Sequence, residues 1–187
     1  MILFIHGFAS CGLGQKSQLL IEHFGRDRML TPDLPFAPTE ATAFLDRLLD
    51  EQPVEMLIGS SLGGYYATWL NRARSIPSVL INPAVRPWEL LAGHLGAQQR
   101  WCDGQTFEFT TAHAGQLEAL YRPRLRDDER YLVLLQSGDE VLDYRAAASY
   151  YGGHDVVIEN GGNHRFENLA DYLPAIDHFH HCNQAAR

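Results

Sequence analysis

The stretch from Val54 to Gly64 constrains this chain more than any other. It reads Val-Glu-Met-Leu-Ile-Gly-Ser-Ser-Leu-Gly-Gly, a short apolar run that predicts a buried strand and then passes directly into glycine and serine. Apolar residues recur at helical spacing from Leu62 to Ala73, so the strand must turn at once into a helix. The pattern Gly-x-Ser-x-Gly, with Ser61 in the middle, is typical of a nucleophile elbow. The alternative interpretation is an ordinary glycine-serine turn between the same two elements.

The remainder of the chain repeats this alternation of strand and helix. Six apolar runs predict strands, and helical patterns separate most of them: Ile2–Ile5, Arg28–Thr31, Val54–Ile58, Ser78–Ile81, Tyr131–Gln136 and Val156–Ile158. This alternation predicts an α/β fold with a mainly parallel sheet and helices on both faces. We interpret residues 1–187 as a single domain. Residues 84–130 contain no strong strand pattern and are predicted to form a helical, lid-like insertion.

Residues with catalytic potential follow the predicted strands, where a parallel sheet gathers its active groups. A serine hydroxyl needs a base within hydrogen-bond reach, and the base needs a third group that fixes its tautomer. The chain order Ser61, Asp139, His164 is that of nucleophile, acid and base in one class of hydrolases. The alternative for His164 is a loop histidine without a catalytic role.

The acid is the least determined of the three residues. Asp139 comes first after its strand and directly after a glycine, which favours it. Glu140 and Asp143 lie close enough in sequence to remain alternatives, and any of the three carboxylates is otherwise a solvated loop residue.

Stabilisation of an oxyanion requires two N–H donors. The backbone of Leu62, directly after the nucleophile, is the first candidate. Phe8, in the loop after the first strand, is the second. His6 is expected to support that loop by hydrogen bonding and not to act as the base.

Taken together, these stretches resemble the α/β-hydrolases, and more narrowly the small bacterial esterases of the YqiA type. The matching stretches span most of the chain: Ile5–Phe8 with Ser10, Pro32–Pro35, Gly59–Tyr66, Ile81–Ala84, Gln136–Tyr144 and Gly161–Phe166. The resemblance implies esterase or acyl-thioesterase activity on hydrophobic acyl groups, with Ser61, Asp139 and His164 as the triad and with no metal or other cofactor. It also implies the α/β-hydrolase sheet without its first two strands, in the order 2-1-3-4-5-6.

The expected substrate is therefore a small acyl ester or acyl-CoA molecule, and Trp88 and Tyr65 are the predicted substrate-binding residues. Trp101, Phe107 and Phe109 are further aromatic residues that an acyl pocket could use. The alternative is that these aromatic residues only pack the insertion against the domain. A non-catalytic binding protein on the same scaffold, an acyltransferase and a peptidase remain alternative functions, because a fold alone does not decide among them.

Composition excludes several other classes of partner. A net charge of −8 argues against a nucleic-acid-binding protein, which needs a basic face. No apolar run is long enough to predict membrane insertion. In the terminal segment His178, His181 and Cys182 do not complete a recognisable set of metal ligands.

The three cysteines suggest where the protein resides. Cys11, Cys102 and Cys182 are odd in number, far apart in sequence and without zinc-site spacing. We therefore expect free thiols in a reducing compartment, and a cytoplasmic location.

Overall fold

The computed structural model describes residues 1–184 and arranges them around a six-stranded parallel sheet; the last three residues of the predicted domain lie outside this range. The eight strands are β1 (Ile2–Ile5), β2 (Met29–Leu30), β3 (Met56–Ser60), β4 (Ser78–Ile81), β5 (Gly96–Gln99), β6 (Thr106–Phe109), β7 (Tyr131–Gln136) and β8 (Asp155–Glu159). The sheet order is β2-β1-β3-β4-β7-β8, and every pairing in it is parallel. If the hairpin strands β5 and β6 are left out and the other six are numbered in chain order, the sheet order becomes 2-1-3-4-5-6. The predicted strand order is therefore confirmed.

Helices cover both faces of the sheet, as predicted. They are α1 (Gln15–Phe24), α2 (Pro38–Glu51), α3 (Leu62–Arg74), α4 (Pro87–Leu91), α5 (Thr111–Leu120), α6 (Tyr144–Tyr150) and α7 (Leu173–Gln184). Within residues 1–184, each helix is too short or too polar to span a lipid bilayer.

Alternating strand residues produce two hydrophobic cores, one on each face. On β1, Leu3 and Ile5 belong to the core beneath α2, α3 and α6, whereas Ile2 and Phe4 belong to the core beneath α1 and α7. Side chains of a strand point alternately to opposite faces, so an unbroken apolar run is what a strand covered on both sides requires. The central strands β1, β3 and β4 are buried at every position.

The register brings the carboxyl ends of the strands to one edge. Ile5 pairs with Gly59 and Ser60 pairs with Ile81. The loops that follow β1, β3 and β4 therefore leave the sheet side by side, which places their side chains within reach of one another.

The insertion between β4 and β7 differs from the prediction, because it contains a β-hairpin as well as helices. Strands β5 and β6 pair antiparallel between α4 and α5 and form a two-stranded sheet of their own. In β6, Phe107 and Phe109 turn inward while Thr106 and Glu108 are exposed. This alternation extends over only four residues, and β5, Gly-Ala-Gln-Gln, contains no large apolar residue, so neither strand gives a strong sequence signal.

The prediction of free thiols is wrong for two of the three cysteines. Cys11 and Cys102 form a disulfide, with Cα atoms 6.2 Å apart, across a sequence separation of 91 residues. Cys182 is a free, exposed cysteine. Sequence spacing cannot reveal such a pair, because it joins the loop after β1 to the turn of a hairpin that the sequence did not predict. The argument from cysteines for a reducing compartment consequently no longer holds, and the cytoplasmic location stays a prediction.

Candidate active site

The turn from β3 into α3 holds Ser61 in an uncommon backbone conformation. Its φ and ψ are 56° and −120°, a positive φ that a residue with a side chain adopts only when its surroundings enforce it. The Ser61 N–H donates to the Ile81 carbonyl at 3.0 Å, and the Ser61 carbonyl accepts from the Ala84 N–H at 3.1 Å. The neighbouring strand and the loop after it therefore secure the turn.

Glycine is required on both sides of this turn. A Cβ atom at Gly63 would overlap the carbonyl oxygen of Ile5, and one at Gly59 would overlap the carbonyl oxygen of Gly63. Both obstacles are backbone atoms, which cannot move aside as the end of a flexible side chain could. The Gly-x-Ser-x-Gly pattern thus has a steric cause in this molecule.

Ser61, His164 and Asp139 are joined by hydrogen bonds, although they come from three separate loops. His164 Nε2 lies 3.1 Å from Ser61 Oγ, and His164 Nδ1 lies 2.8 Å from Asp139 Oδ2. Because a carboxylate can only accept, Nδ1 carries the proton and Nε2 is left to accept from the serine hydroxyl. An imidazole in this position can take the hydroxyl proton when the oxygen attacks a carbonyl carbon.

Of the three candidate carboxylates, only Asp139 is bonded to the imidazole. Its side chain is 2% exposed, and its Oδ1 accepts the N–H groups of Val141 and Leu142, both at 2.8 Å. Asp143 is 61% exposed and caps α6 by accepting the N–H of Arg145 at 3.0 Å.

Glu140 takes a different position beside the same histidine. Its Oε2 accepts the backbone N–H of His164 at 3.0 Å, and this bond is the leading cause of the lowered pKa of the Glu140 carboxyl. Glu140 therefore holds the backbone of the His164 loop, whereas Asp139 holds the ring.

Two further polar residues hold the His164 loop, and sequence reasoning missed their roles. Asn82, at the end of β4 with a φ of 40°, donates to the Asn163 carbonyl at 3.1 Å and accepts the N–H of Gln136 at 2.9 Å. The side chain of Gln136 accepts the N–H of Asn163 at 2.9 Å and donates to Glu159 and Asn168. In the sequence, both residues stand out only as polar residues at the ends of β4 and β7, and this placement does not identify their hydrogen-bond partners.

The two predicted oxyanion donors belong to segments that adjoin Ser61. Leu62 begins α3, where the first N–H groups of a helix have no acceptor within the helix. Phe8 follows Gly7, whose Cβ position would be 3.3 Å from Ser61 Cβ, so the loop after β1 passes directly beside the serine.

His6 supports this loop, in agreement with its predicted role. Its Nε2 accepts the N–H of Leu34 at 3.1 Å, and its Nδ1 donates to the carbonyl of Gly7 at 2.8 Å. Burial lowers the pKa of the His6 imidazole, which favours the neutral form that these two bonds need.

A small apolar cleft of about 30 Å³ lies between this loop, α3 and the hairpin. Four aromatic residues line it: Phe8, Phe36, Tyr66 and Phe107. Phe107 was among the aromatic residues that the sequence singled out, whereas Phe36 and Tyr66 were not.

The predicted substrate-binding residues take other positions. Trp88 packs against Tyr65 at a centroid distance of 6.3 Å and against Tyr121 at 5.0 Å, and the Tyr65 hydroxyl donates to the Leu117 carbonyl at 2.7 Å. Neither residue lines the small cleft. A substrate contact by Trp88 or Tyr65 stays a prediction.

Two of the other aromatic candidates, Trp101 and Phe109, do not line the small cleft. Trp101 is 88% exposed at the tip of the hairpin, and Phe109 is buried in the core.

A much larger groove of about 1090 Å³ runs along the other flank of the site. Pro83 and Val85 of the loop after β4 form part of it, together with Leu142 of the Asp139 loop and Tyr150 of α6. Arg126 lies on its border and is paired with Asp128 at 2.9 Å.

Comparisons with known proteins agree with this fold. The chain is 28% identical over 189 residues to UPF0227 protein YcfP of Salmonella paratyphi A (strain ATCC 9150 / SARB42), a match covering 96% of this chain and 98% of that protein. Mouse alpha/beta hydrolase domain-containing protein 10 has a similar structure, with a TM-score of 0.72 and 18% identity over 100% of this chain and 90% of that one. The monoacylglycerol lipase of Paleococcus ferrophilus gives a TM-score of 0.71 and 14% identity over 97% and 94%.

At these identities the structural likenesses establish the α/β-hydrolase fold and nothing finer. The resemblance that the sequence motifs indicated is thereby confirmed for the fold. A family described as "Uncharacterised protein family (UPF0227)" matches residues 1–181. Because this match takes in nearly the whole chain, the protein belongs to the UPF0227 family.

Proposed function

We propose that this protein is a serine hydrolase that cleaves carboxylic esters or thioesters of hydrophobic acyl groups, acyl-CoA among them. The observation that carries the proposal is the continuous hydrogen-bonded path from Ser61 Oγ through His164 to the buried carboxylate of Asp139. The α/β-hydrolase fold and its likeness to a solved monoacylglycerol lipase support the same class of chemistry.

In the proposed reaction, His164 Nε2 takes the hydroxyl proton while Ser61 Oγ attacks the acyl carbonyl carbon. The N–H groups of Leu62 and Phe8 stabilise the negative charge that develops on the carbonyl oxygen. His164 then gives its proton to the departing alcohol or thiol, and an acyl-serine remains. A water molecule activated by the same imidazole releases the carboxylic acid. Asp139 keeps Nδ1 protonated and supports the imidazolium throughout.

The positive φ of Ser61 supports its role as the nucleophile. The conformation raises the side chain at the junction of β3 and α3, and the glycine contacts described above show why the turn cannot relax. Ser60 precedes it as the last residue of β3 and is buried in the sheet, so it provides a matched control at the adjacent position.

The experiment compares Ser61→Ala with Ser60→Ala. We expect Ser61→Ala to abolish labelling by a fluorophosphonate probe and hydrolysis of p-nitrophenyl acetate, with an unchanged circular dichroism spectrum. Ser60→Ala should retain both labelling and hydrolysis. If the wild-type chain were folded but neither labelled nor active on a panel of esters and acyl-CoA thioesters, a binding protein on a hydrolase scaffold would be the better interpretation.

A further inference from the structure

The hairpin of β5 and β6 is attached to the loop after β1, the same loop that carries the proposed oxyanion donor Phe8. The disulfide joins Cys11 of the loop to Cys102 of the hairpin turn. Next to it, the Trp101 N–H donates to the carbonyl of Ala9 at 2.9 Å. These two links attach the hairpin turn to the middle of the loop.

A third attachment is ionic. Arg100, in the same turn, lies 3.5 Å from Asp33 and is paired with Asp103. The carboxylate of Asp33 also accepts the N–H of Gly12 at 2.8 Å, so it connects the hairpin to the loop that bears Cys11.

The attached hairpin places Phe107 across the small cleft. Its ring stacks on Phe36 at 4.1 Å with an interplanar angle of 3°, and it meets the edge of Phe8 at 5.6 Å. The cleft that remains has a volume of about 30 Å³, whereas pockets that bind small-molecule ligands have volumes of about 300–1,000 Å³. Phe36 and Phe107 therefore close the apolar space beside Leu62 to all but the smallest acyl groups.

We propose that the hairpin is a gate over the small cleft, which accepts the acyl group of the substrate. The Cys11–Cys102 disulfide is a redox-controlled latch that holds this gate closed. The oxidised protein accepts short acyl groups, and the reduced protein also accepts longer ones, because Phe107 can then leave Phe36. This inference rests on the proposed function, since it concerns the substrate range of the same site. It assigns a role to the disulfide and to the aromatic pair, which the hydrolytic reaction itself does not use.

The latch opens by thiol–disulfide exchange with a dithiol. A thiolate of the dithiol attacks Sγ of Cys102, which is the more exposed of the two residues, and the Cys102–Cys11 bond breaks as a mixed disulfide forms. The second thiol of the reductant then displaces Cys102. The dithiol is oxidised to its own disulfide, and its two electrons and two protons end on Cys11 and Cys102 as free thiols. Reoxidation by a disulfide reverses each step.

The test measures the ratio of p-nitrophenyl octanoate to p-nitrophenyl acetate hydrolysis in the full chain, before and after treatment with dithiothreitol. A thiol assay verifies that the reduced protein exposes three thiols, the number of its cysteines. We expect the ratio to rise severalfold on reduction, because reduction removes the covalent attachment of the hairpin turn and leaves the Trp101–Ala9 hydrogen bond and the Arg100–Asp33 ion pair, which can break reversibly.

Two cysteine variants separate the latch from general effects of the reductant. Cys102→Ser should show the raised ratio without dithiothreitol and no further response to it. Cys182→Ser removes the exposed cysteine outside the latch and should behave as the wild type does.

A variant of the gate itself tests the proposal without any change of redox state. Phe107→Ala in the oxidised chain removes the ring that stacks on Phe36 and should raise the ratio even if the reduced protein unfolds. Suppose that the wild type hydrolyses the acetate ester and that this activity depends on Ser61. An unchanged octanoate-to-acetate ratio in Phe107→Ala, or in the fully reduced and folded wild type, would then overturn the gate.

If the wild type showed no Ser61-dependent hydrolysis of the acetate ester, the proposed function itself would be contradicted.

Discussion

The ends of the parallel strands and the inserted segment 84–130 are held in position by different means. Strands β1, β3 and β4 are buried throughout, and the turn at Ser61 is enclosed by backbone atoms that leave no room for a Cβ at Gly59 or Gly63. The hairpin of the insertion lies at the surface, where a disulfide, an ion pair and a few aromatic contacts attach it. The difference suggests that the sheet fixes the proposed chemistry, whereas the insertion determines which molecules reach it.

The largest effect is expected from the carboxylate at the sheet edge. Asp139→Asn keeps the shape of the side chain but allows the imidazole to adopt the wrong tautomer, and an equivalent change in a serine protease lowers turnover about 10⁴-fold. We expect a loss of similar size in ester hydrolysis, measured as kcat.

Asp143→Asn is the matched control, because this exposed residue only caps α6. Its turnover should remain within a few-fold of wild type. If Asp143→Asn instead lost most of its turnover while Asp139→Asn remained nearly as active as the wild type, Asp143 would be the catalytic acid. The loop that carries Asp139 would then have to rearrange during the reaction.

A pair of glycine substitutions compares the rigidity of the two regions directly. Gly63→Ala forces a methyl group against the carbonyl of Ile5 and should lower the free energy of unfolding by about 3 kcal/mol or more. Gly104→Ala, in the hairpin turn at a φ of 75°, meets only the end of the Gln99 side chain and should cost about 1–2 kcal/mol.

Urea denaturation with the linear extrapolation measures both values. Equal losses in the two variants would contradict the contrast between a confined strand end and a surface hairpin. A Gly63→Ala protein that was as stable as the wild type would show that the turn can relax.

The smallest expected effect concerns His6, which lies where the two regions meet. Burial lowers its pKa; of the charged groups that act on it, Asp33 raises the pKa and Arg100 lowers it. Since the folded pKa is below the unfolded value, His6 contributes stability above the usual histidine pKa of about 6.5 and loses this contribution as the pH falls through the folded pKa.

His6→Gln keeps an acceptor for the Leu34 N–H but does not titrate in this range. We expect the wild type to lose a few degrees more in Tm than His6→Gln does between pH 7.5 and pH 5, by differential scanning calorimetry. Parallel pH dependence in the two proteins would show that protonation of His6 does not destabilise the loop.

Much of the fold was predictable because its determinants are local. Unbroken apolar runs such as Ile2–Ile5 indicate strands covered on both faces, and the glycines around Ser61 follow from a turn that excludes a Cβ. The chain order of Ser61, Asp139 and His164 indicated which loops would meet once the strands were known to be parallel.

The hairpin and its attachments were not predictable. Its strands are four residues long, and β5 contains no large apolar residue, so the periodic signal was too short to separate from a loop. The supporting roles of Asn82 and Gln136 were equally hidden, because an isolated polar residue at a strand end does not reveal its partners.

The amino-acid sequence was enough to predict the six strands of the main sheet, their parallel arrangement and the turn that presents Ser61, since the period of apolar residues and the need for glycine are properties of neighbouring positions. The packing of distant segments was needed to show which carboxylate meets His164, that Cys11 is joined to Cys102, and that Phe107 closes the cleft beside Leu62. These contacts join loops from distant parts of the chain, and their partners become defined only when the sheet and the insertion have packed together.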